Sequence, residues 1–330
     1  MRPFEFVRAT DVSTGAAAVA QVPRAKFLAG GTNLVDLMKE DVEQPGRLVD
    51  ISQLPLRQIS RSRSGLSIGA LATNTETANH PLIRENYPLL SQAIVAGASG
   101  QLRNMATNGG NLLQRTRCNY FYDVATPCNK RLPGSGCGAR EGLNKIHAIL
   151  GWSESCVATY PGDMANALYA LDANVRVRGV DGAERIMPIG DLHRLPGDAP
   201  HQDTNLAHGE LILGIELPVA SADFAANSHY LKVRDRASYA FAMVAVAAAL
   251  QMDGKVIKQA RLVLGGVAHK PWRSEEAEAL LVGQRVSQES FQRAAQAALR
   301  DAKPLAHNAY KVELGQRSVM RALMRASRLA

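Results

Sequence analysis

Cys118, Cys128, Cys137 and Cys156 are the only cysteines in a chain of 330 residues, and all four fall within one stretch. Core cysteines scattered by chance do not gather in this way, so a shared purpose follows. Three chemistries compete: two disulfides, a structural zinc, or a [4Fe–4S] cluster. Zinc ribbons favour short C-x₂₋₄-C knuckles, and none occurs here. Disulfides need an oxidising compartment, for which the sequence carries no signal. Iron–sulfur clusters need four thiolates and accept varied spacings. The same stretch supplies Arg115, Arg117, Lys130, Arg131, Arg140 and Lys145, cations suited to an anionic cluster, and glycines whose N–H groups can approach sulfur. On chemistry alone all three stay open.

Two glycine turns form the second chemical feature. A pyrophosphate needs several backbone N–H groups aimed into one small space, and glycine permits this because it lacks Cβ and takes positive φ. Gly30-Gly31 and Gly109-Gly110 both offer such a turn, each flanked by Thr and Asn (Thr32, Asn33; Thr107, Asn108, Asn111) whose side chains can donate further hydrogen bonds. Neither turn fits G-x-G-x-x-G or G-x-x-x-x-G-K-[ST], which disfavours Rossmann and P-loop sites.

The elements that must position these residues are partly legible. Lys26-Phe27-Leu28-Ala29 reads as a buried strand, and Leu34, Leu37 and Met38 follow the first turn at helical spacing. Further strands are expected at residues 47–51, 65–70 and 174–179, and a helix over residues 76–98 leads into the second turn. Periodicity fails over residues 115–155, a length of irregular chain that is usually functional. Helical spacing resumes at Asp163. A boundary is expected near residues 219–228, followed by alternating strands and helices, a hairpin at Asp253-Gly254 and a terminal basic helix.

Composition narrows the class. With 46% hydrophobic and 21% charged residues the chain can build two or three packed domains. The longest apolar run, residues 240–250, reads as a buried helix and is about half of the ~20 residues needed to cross a bilayer. A formal charge of +8 is spread along the chain, and only 5% of residues are aromatic, which argues against nucleic acid as a partner. The N-terminus places Glu5 and Arg8 where an export signal would hold its apolar segment.

Taken together, Lys26-Phe27-Leu28-Ala29-Gly30-Gly31-Thr32-Asn33-Leu34 and residues 101–111, which contain Thr107-Asn108-Gly109-Gly110-Asn111, resemble the two FAD-pyrophosphate loops of the flavin subunit of the xanthine dehydrogenase family. The resemblance runs on through residues 161–173, 212–218 and 232–236, and so covers nearly the whole chain in order. It implies an α+β fold: a vanillyl-alcohol-oxidase/p-cresol-methylhydroxylase-type FAD-binding fold of two α/β subdomains, with a C-terminal α+β domain of the CO dehydrogenase flavoprotein type. The expected domains are 1–55, 56–218 with an insertion at about 115–156, and 225–330. It also implies FAD as cofactor, Asp163 at its adenosine end, Lys232 near the isoalloxazine, and Leu213 lining the pocket. A carboxylate suits ribose hydroxyls or adenine donors, and a cation suits a reduced, anionic flavin.

The cysteine-bearing insertion resembles the [4Fe–4S]-containing branch of that family, which includes 4-hydroxybenzoyl-CoA reductase and periplasmic aldehyde oxidoreductases. The resemblance implies that Cys118, Cys128, Cys137 and Cys156 hold that cluster. It implies a heterotrimer with a [2Fe–2S] subunit and a molybdenum-cofactor subunit that oxidises an aldehyde with water to a carboxylic acid. This chain would pass electrons from the [2Fe–2S] clusters to FAD and on to an external acceptor such as ferredoxin. The location implied is the periplasm, reached by co-export with a signal-bearing partner, with the cytoplasm as the alternative. Two rivals stand beside this reading: a free-standing NAD(P)H-dependent FAD reductase, and a zinc-stapled, non-enzymatic binding module.

Overall fold

The computed structural model describes residues 1–329. Three sheets organise the chain. The first is parallel, in the order β1-β3-β2, and consists of β1 (Glu5–Arg8), β2 (Lys26–Leu28) and β3 (Arg47–Asp50). Parallel strands require crossovers: the helix Leu34–Lys39 links β2 to its neighbour β3, and the helix Val12–Ala20, started by a capping box between Asp11 and Thr14, links β1 to β2. Val19, Val49, Ile51 and Leu54 bury against one another beneath it.

The second sheet is antiparallel, β4-β5-β8-β6-β7, formed by β4 (Ile59–Ser62), β5 (Gly65–Gly69), β6 (Asn174–Arg178), β7 (Glu184–Pro188) and β8 (Leu211–Pro218). Between its second and third strands in chain order lie the helices from Asn74 to Ala170 and the whole cysteine stretch. Residues 76–98 form not one helix but parts of three, Asn74–Asn79, Pro81–Asn86 and Pro88–Ala96. Pro81 and Pro88 each stand at the start of a helix, where the missing N–H costs nothing, and each ends the helix before it.

The third sheet, β9-β10-β11-β12, contains β9 (Ser228–Val233), β10 (Val244–Asp253), β11 (Val256–Gly265) and β12 (Trp272–Arg273). Most of the apolar run expected to be helical, from Val244 onward, is here β10, hydrogen-bonded on both sides. Its side chains alternate between two cores. Ala245, Ala247 and Ala249 pack toward the helix Asp163–Ala170, while Val244, Val246, Ala248 and Leu250 pack toward the C-terminal helices. A strand buried on both faces shows no polar alternation, so its period cannot be told from a buried helix. The sequential order after residue 228 is likewise strands first, then the helices Glu275–Leu281, Gln288–Ala298 and Tyr310–Ala326. Fully burying each aliphatic side chain in these cores stabilises the fold by roughly 1.5–3 kcal/mol. No helix among the described residues is long and apolar enough to cross a membrane.

Candidate functional site

The first glycine turn leaves the C-terminal end of β2. Gly31 has φ +70°, and a Cβ on Gly30 would lie 1.9 Å from the carbonyl oxygen of Met105, so both positions require glycine. That contact presses the first turn against the chain leading into the second. Among the described residues no acceptor takes the backbone N–H of Gly30, Gly31, Thr32 or Asn33. The Asn33 side chain accepts from the N–H of Arg115, but its own Nδ2 is buried without a partner. Unpaired donors gathered at one turn form an anion-binding concavity.

The second turn is the start of a short helix, Asn108–Leu112, capped by Thr107, whose hydroxyl accepts from the N–H of Gly110 at 3.3 Å. The N–H of Gly109 donates to Ala70, and a Cβ there would touch Ala70 at 3.3 Å. Gly110 faces the other way, with only the Thr107 hydroxyl within 4 Å of a Cβ added there. Asn108 and Asn111 depart from expectation. Asn108 is fully buried and donates to Thr77 at 2.7 Å, while Asn111 donates to Asn74 at 2.8 Å. Their side chains pin the turn to the helix Asn74–Asn79. Leu213, buried on β8, reaches the same turn indirectly: its carbonyl accepts from Ala70, whose own carbonyl accepts from Gly109.

Asp163 opens the helix Asp163–Ala170 and is buried. One carboxylate oxygen accepts from Lys232 Nζ at 2.7 Å, the other from the Tyr230 hydroxyl at 2.7 Å. Lys232 also donates to the carbonyl of Ala96, which accepts from Arg234 as well, and Arg103 donates to that of Gly97. The expectation set Asp163 and Lys232 at opposite ends of FAD; here the two side chains are in direct contact. Tyr230 and Gln92, which accepts from the N–H of Tyr230, complete this joint and carried no sequence signal.

All four cysteines are free and line one small cavity. Cys128 and Cys137 face each other across an isolated antiparallel bridge, Cys118 precedes the short helix Asn119–Tyr122, and Cys156 is held by a bridge to Ser153. Burial pushes the Cys118 thiol up to about 12 and Cys156 up to about 11, the latter partly countered by Lys130. Neutral thiols are therefore favoured until a cation displaces their protons. Among the described residues no group of three or more His, Cys, Asp or Glu is arranged to hold a metal ion.

The cations expected around the cysteines are mostly engaged elsewhere. Arg115 pairs with Glu43 and Asp203, Arg117 with Asp36, Arg140 with Glu154 and Lys145 with Asp235, while Arg131 donates to the carbonyls of Tyr120, Phe121 and Thr126. Of the six, only Lys130 lines the cavity. Two histidines that the sequence reading passed over also touch the sulfurs: His147 Nε2 lies 3.1 Å from Cys118 Sγ, and His269 Nε2 lies 4.0 Å from Cys156 Sγ.

Lys130 and Arg115 meet on Asp203, at 2.5 Å and 2.7 Å, which ties the irregular segment after residue 196 to both the cysteine stretch and the first glycine turn. Burial raises the Asp203 pKa, but Arg115 and Lys130 outweigh it and hold the carboxyl far below the ordinary range. A depressed folded-state pKa gives stability that is present above the unfolded carboxylate pKa and is lost as pH falls through the folded one. Asp203→Asn is expected to lower stability most at neutral pH, with the gap to wild type narrowing only in strong acid. Denaturation midpoints measured from pH 7 downward check this, and a constant gap would contradict it.

Residues 2–220 match the family described as the FAD binding domain in molybdopterin dehydrogenase, and residues 229–326 match the CO dehydrogenase flavoprotein C-terminal domain. The chain belongs to the FAD-binding medium subunits of the molybdenum hydroxylases. Within that family it is 47% identical over 327 residues to the aldehyde oxidoreductase FAD-binding subunit PaoB of Escherichia coli, covering 99% of each chain. It is 26% identical to the glyceraldehyde dehydrogenase medium chain of Sulfolobus acidocaldarius, over 86% of this chain and 83% of that one. Carbon monoxide dehydrogenase from Hydrogenophaga pseudoflava superimposes with a TM-score of 0.76 at 26% identity, covering 99% of this chain and 98% of that one. Quinoline 2-oxidoreductase from Pseudomonas putida 86 shares the fold, with a TM-score of 0.75 at 22% identity over 99% and 98% of the two chains.

Proposed function

We propose that this chain is the FAD subunit of a molybdenum-dependent aldehyde oxidoreductase and that its cysteine cavity holds a [4Fe–4S] cluster. The aldehyde reading rests on 47% identity, end to end, to a relative whose name gives that activity. The cluster reading is carried by one observation: four free cysteines line a single cavity. Four thiolates without a short C-x₂₋₄-C knuckle suit an iron–sulfur group better than one zinc ion, and free sulfurs are not the product of disulfide pairing.

The FAD cradle is supported by the unpaired N–H groups of the first turn, the orphaned Asn33 Nδ2 and the open side of Gly110. When bound, the flavin supplies a centre that takes up electrons singly or in pairs. The chain's own part is to hold the pyrophosphate by backbone donors and to keep the Asp163–Lys232–Tyr230 joint beside the cofactor. The reading carries with it a heterotrimer with [2Fe–2S] and molybdenum-cofactor subunits and a periplasmic location by co-export with a signal-bearing partner. It also carries an acidic one-electron acceptor of the ferredoxin type. A groove whose lining includes Arg234, Arg236, Arg317 and Arg321, with Asp235 the one acidic group among its lining residues, supports such a partner.

Anaerobic purification of the chain alone tests the proposal. Flavin absorption, about four irons and about four acid-labile sulfides per chain, and no aldehyde turnover are expected. Cys128→Ser is expected to lose most of the iron and keep much of the FAD, because the glycine turns lie outside the cysteine stretch. One zinc per chain, or disulfides without metal, would refute the cluster. Aldehyde oxidation by the isolated chain would refute the subunit assignment.

A further inference from the structure

We propose that His147 donates its Nε2–H to Cys118 Sγ and thereby raises the electron affinity of the iron–sulfur group held by the four cysteines. The inference rests on the [4Fe–4S] reading above. Its basis is geometric. The imidazole is buried, with Nε2 3.1 Å from Cys118 Sγ, and Nδ1 has no partner at all. A cysteine that ligates iron has lost its proton, so the bond can run only from imidazole to sulfur. With the proton on Nδ1 instead, a buried N–H would stand unpaired, at a cost of about 1–3 kcal/mol.

The residue is also held in place. Its carbonyl accepts from Lys311 Nζ at 3.0 Å and from Asn308 Nδ2 at 3.2 Å, so the C-terminal helix and the turn before it fix its backbone. Lys311 itself is fully buried and donates to two further carbonyls, those of Ile146 and Gly266. His269 offers the contrast. Its Nδ1 lies 3.1 Å from the carbonyl of Arg194, which can only accept, so the ring proton sits on Nδ1 and Nε2 turns a lone pair toward Cys156. One histidine thus donates to a ligand sulfur and the other does not. Donors to the sulfurs of such a cluster favour its reduced, more negative state.

The test is a dithionite titration of the full chain followed by EPR, with iron and sulfide measured on each sample. His147→Phe is expected to retain iron and sulfide and to make one-electron reduction about tenfold less favourable, a shift of about 59 mV to lower potential. His147→Gln, which places an N–H at a similar reach, is expected to recover most of that shift, and His269→Phe to cause little. An unchanged potential in a fully loaded His147→Phe protein overturns the inference. Should that variant assemble no cluster, wild-type protein labelled with ¹⁵N-histidine decides by pulsed EPR: a weak ¹⁵N coupling to the reduced cluster supports the bond, and its absence overturns it. A wild-type chain without iron and sulfide removes the cluster reading, and this inference with it.

Discussion

Gly110→Val is expected to give a folded protein that purifies with little or no flavin. The position separates cofactor binding from folding better than its neighbours do. At Gly30 a side chain would strike the backbone of Met105, and at Gly31 the positive φ would strain any other residue, so loss of flavin there could follow from loss of the turn. A Cβ at Gly110 meets only the Thr107 hydroxyl, and a branched side chain built on it is expected to project into the open side of the turn. It would fill the space where a pyrophosphate oxygen meets backbone donors. Hydrogen bonds to charged groups are worth about 1.5–3 kcal/mol each, so forfeiting even one weakens binding by roughly tenfold to a hundredfold. Flavin content by absorbance and the far-ultraviolet circular dichroism spectrum, measured on one sample, check this. A folded variant with full flavin would remove the second turn from the cradle.

Asp163→Ala is expected to cost about 3–5 kcal/mol in stability, the usual result of removing one partner of a buried ion pair. The side chains of Lys232 and Asp163 are only 4% and 8% exposed, so little water can replace the lost carboxylate. Lys232 would keep one backbone carbonyl, and the buried Tyr230 hydroxyl would lose the acceptor it now donates to. Because the joint bridges the helix Asp163–Ala170 and β9, the damage falls on the contact between the FAD-binding region and the C-terminal sheet. Asp163→Asn, which keeps an acceptor, should lose less. The double variant Asp163→Ala/Lys232→Met should recover part of the loss, because no ammonium is then buried unpaired. Denaturant titration of all three against wild type provides the measurement, and a cost below about 1 kcal/mol for Asp163→Ala would contradict the buried pair.

Local features were legible before any coordinates. The strand, glycine turn and helix at residues 26–39 appear where spacing puts them, because each depends on its own few residues: aliphatic side chains in β2, glycine at a positive φ, then apolar residues at helical intervals. The clustering of Cys118, Cys128, Cys137 and Cys156 was likewise visible, since proximity in sequence and a shared purpose go together. The motifs of the family spread along the whole chain, so order alone carried the class of the protein.

Other outcomes depended on contacts between distant residues. Residues 244–250 of the apolar run became a strand because β9 and β11 lie on either side to accept and donate its hydrogen bonds, and apolar cores await both of its faces. Asn108 and Asn111 turned inward because Asn74 and Thr77, more than thirty positions earlier, needed partners. Asp163 and Lys232, 69 residues apart, became one ion pair, which no local pattern encodes. Arg115, Arg117 and Lys145 found carboxylates on other segments, and of the basic residues of the cysteine stretch only Lys130, itself paired with Asp203, lines the cavity wall. Sequence by itself determined which residues could do chemistry, because that follows from side-chain type and local geometry. Only the tertiary structure decided which of them are still available to do it, because a buried donor or charge must be satisfied by whatever the fold brings beside it.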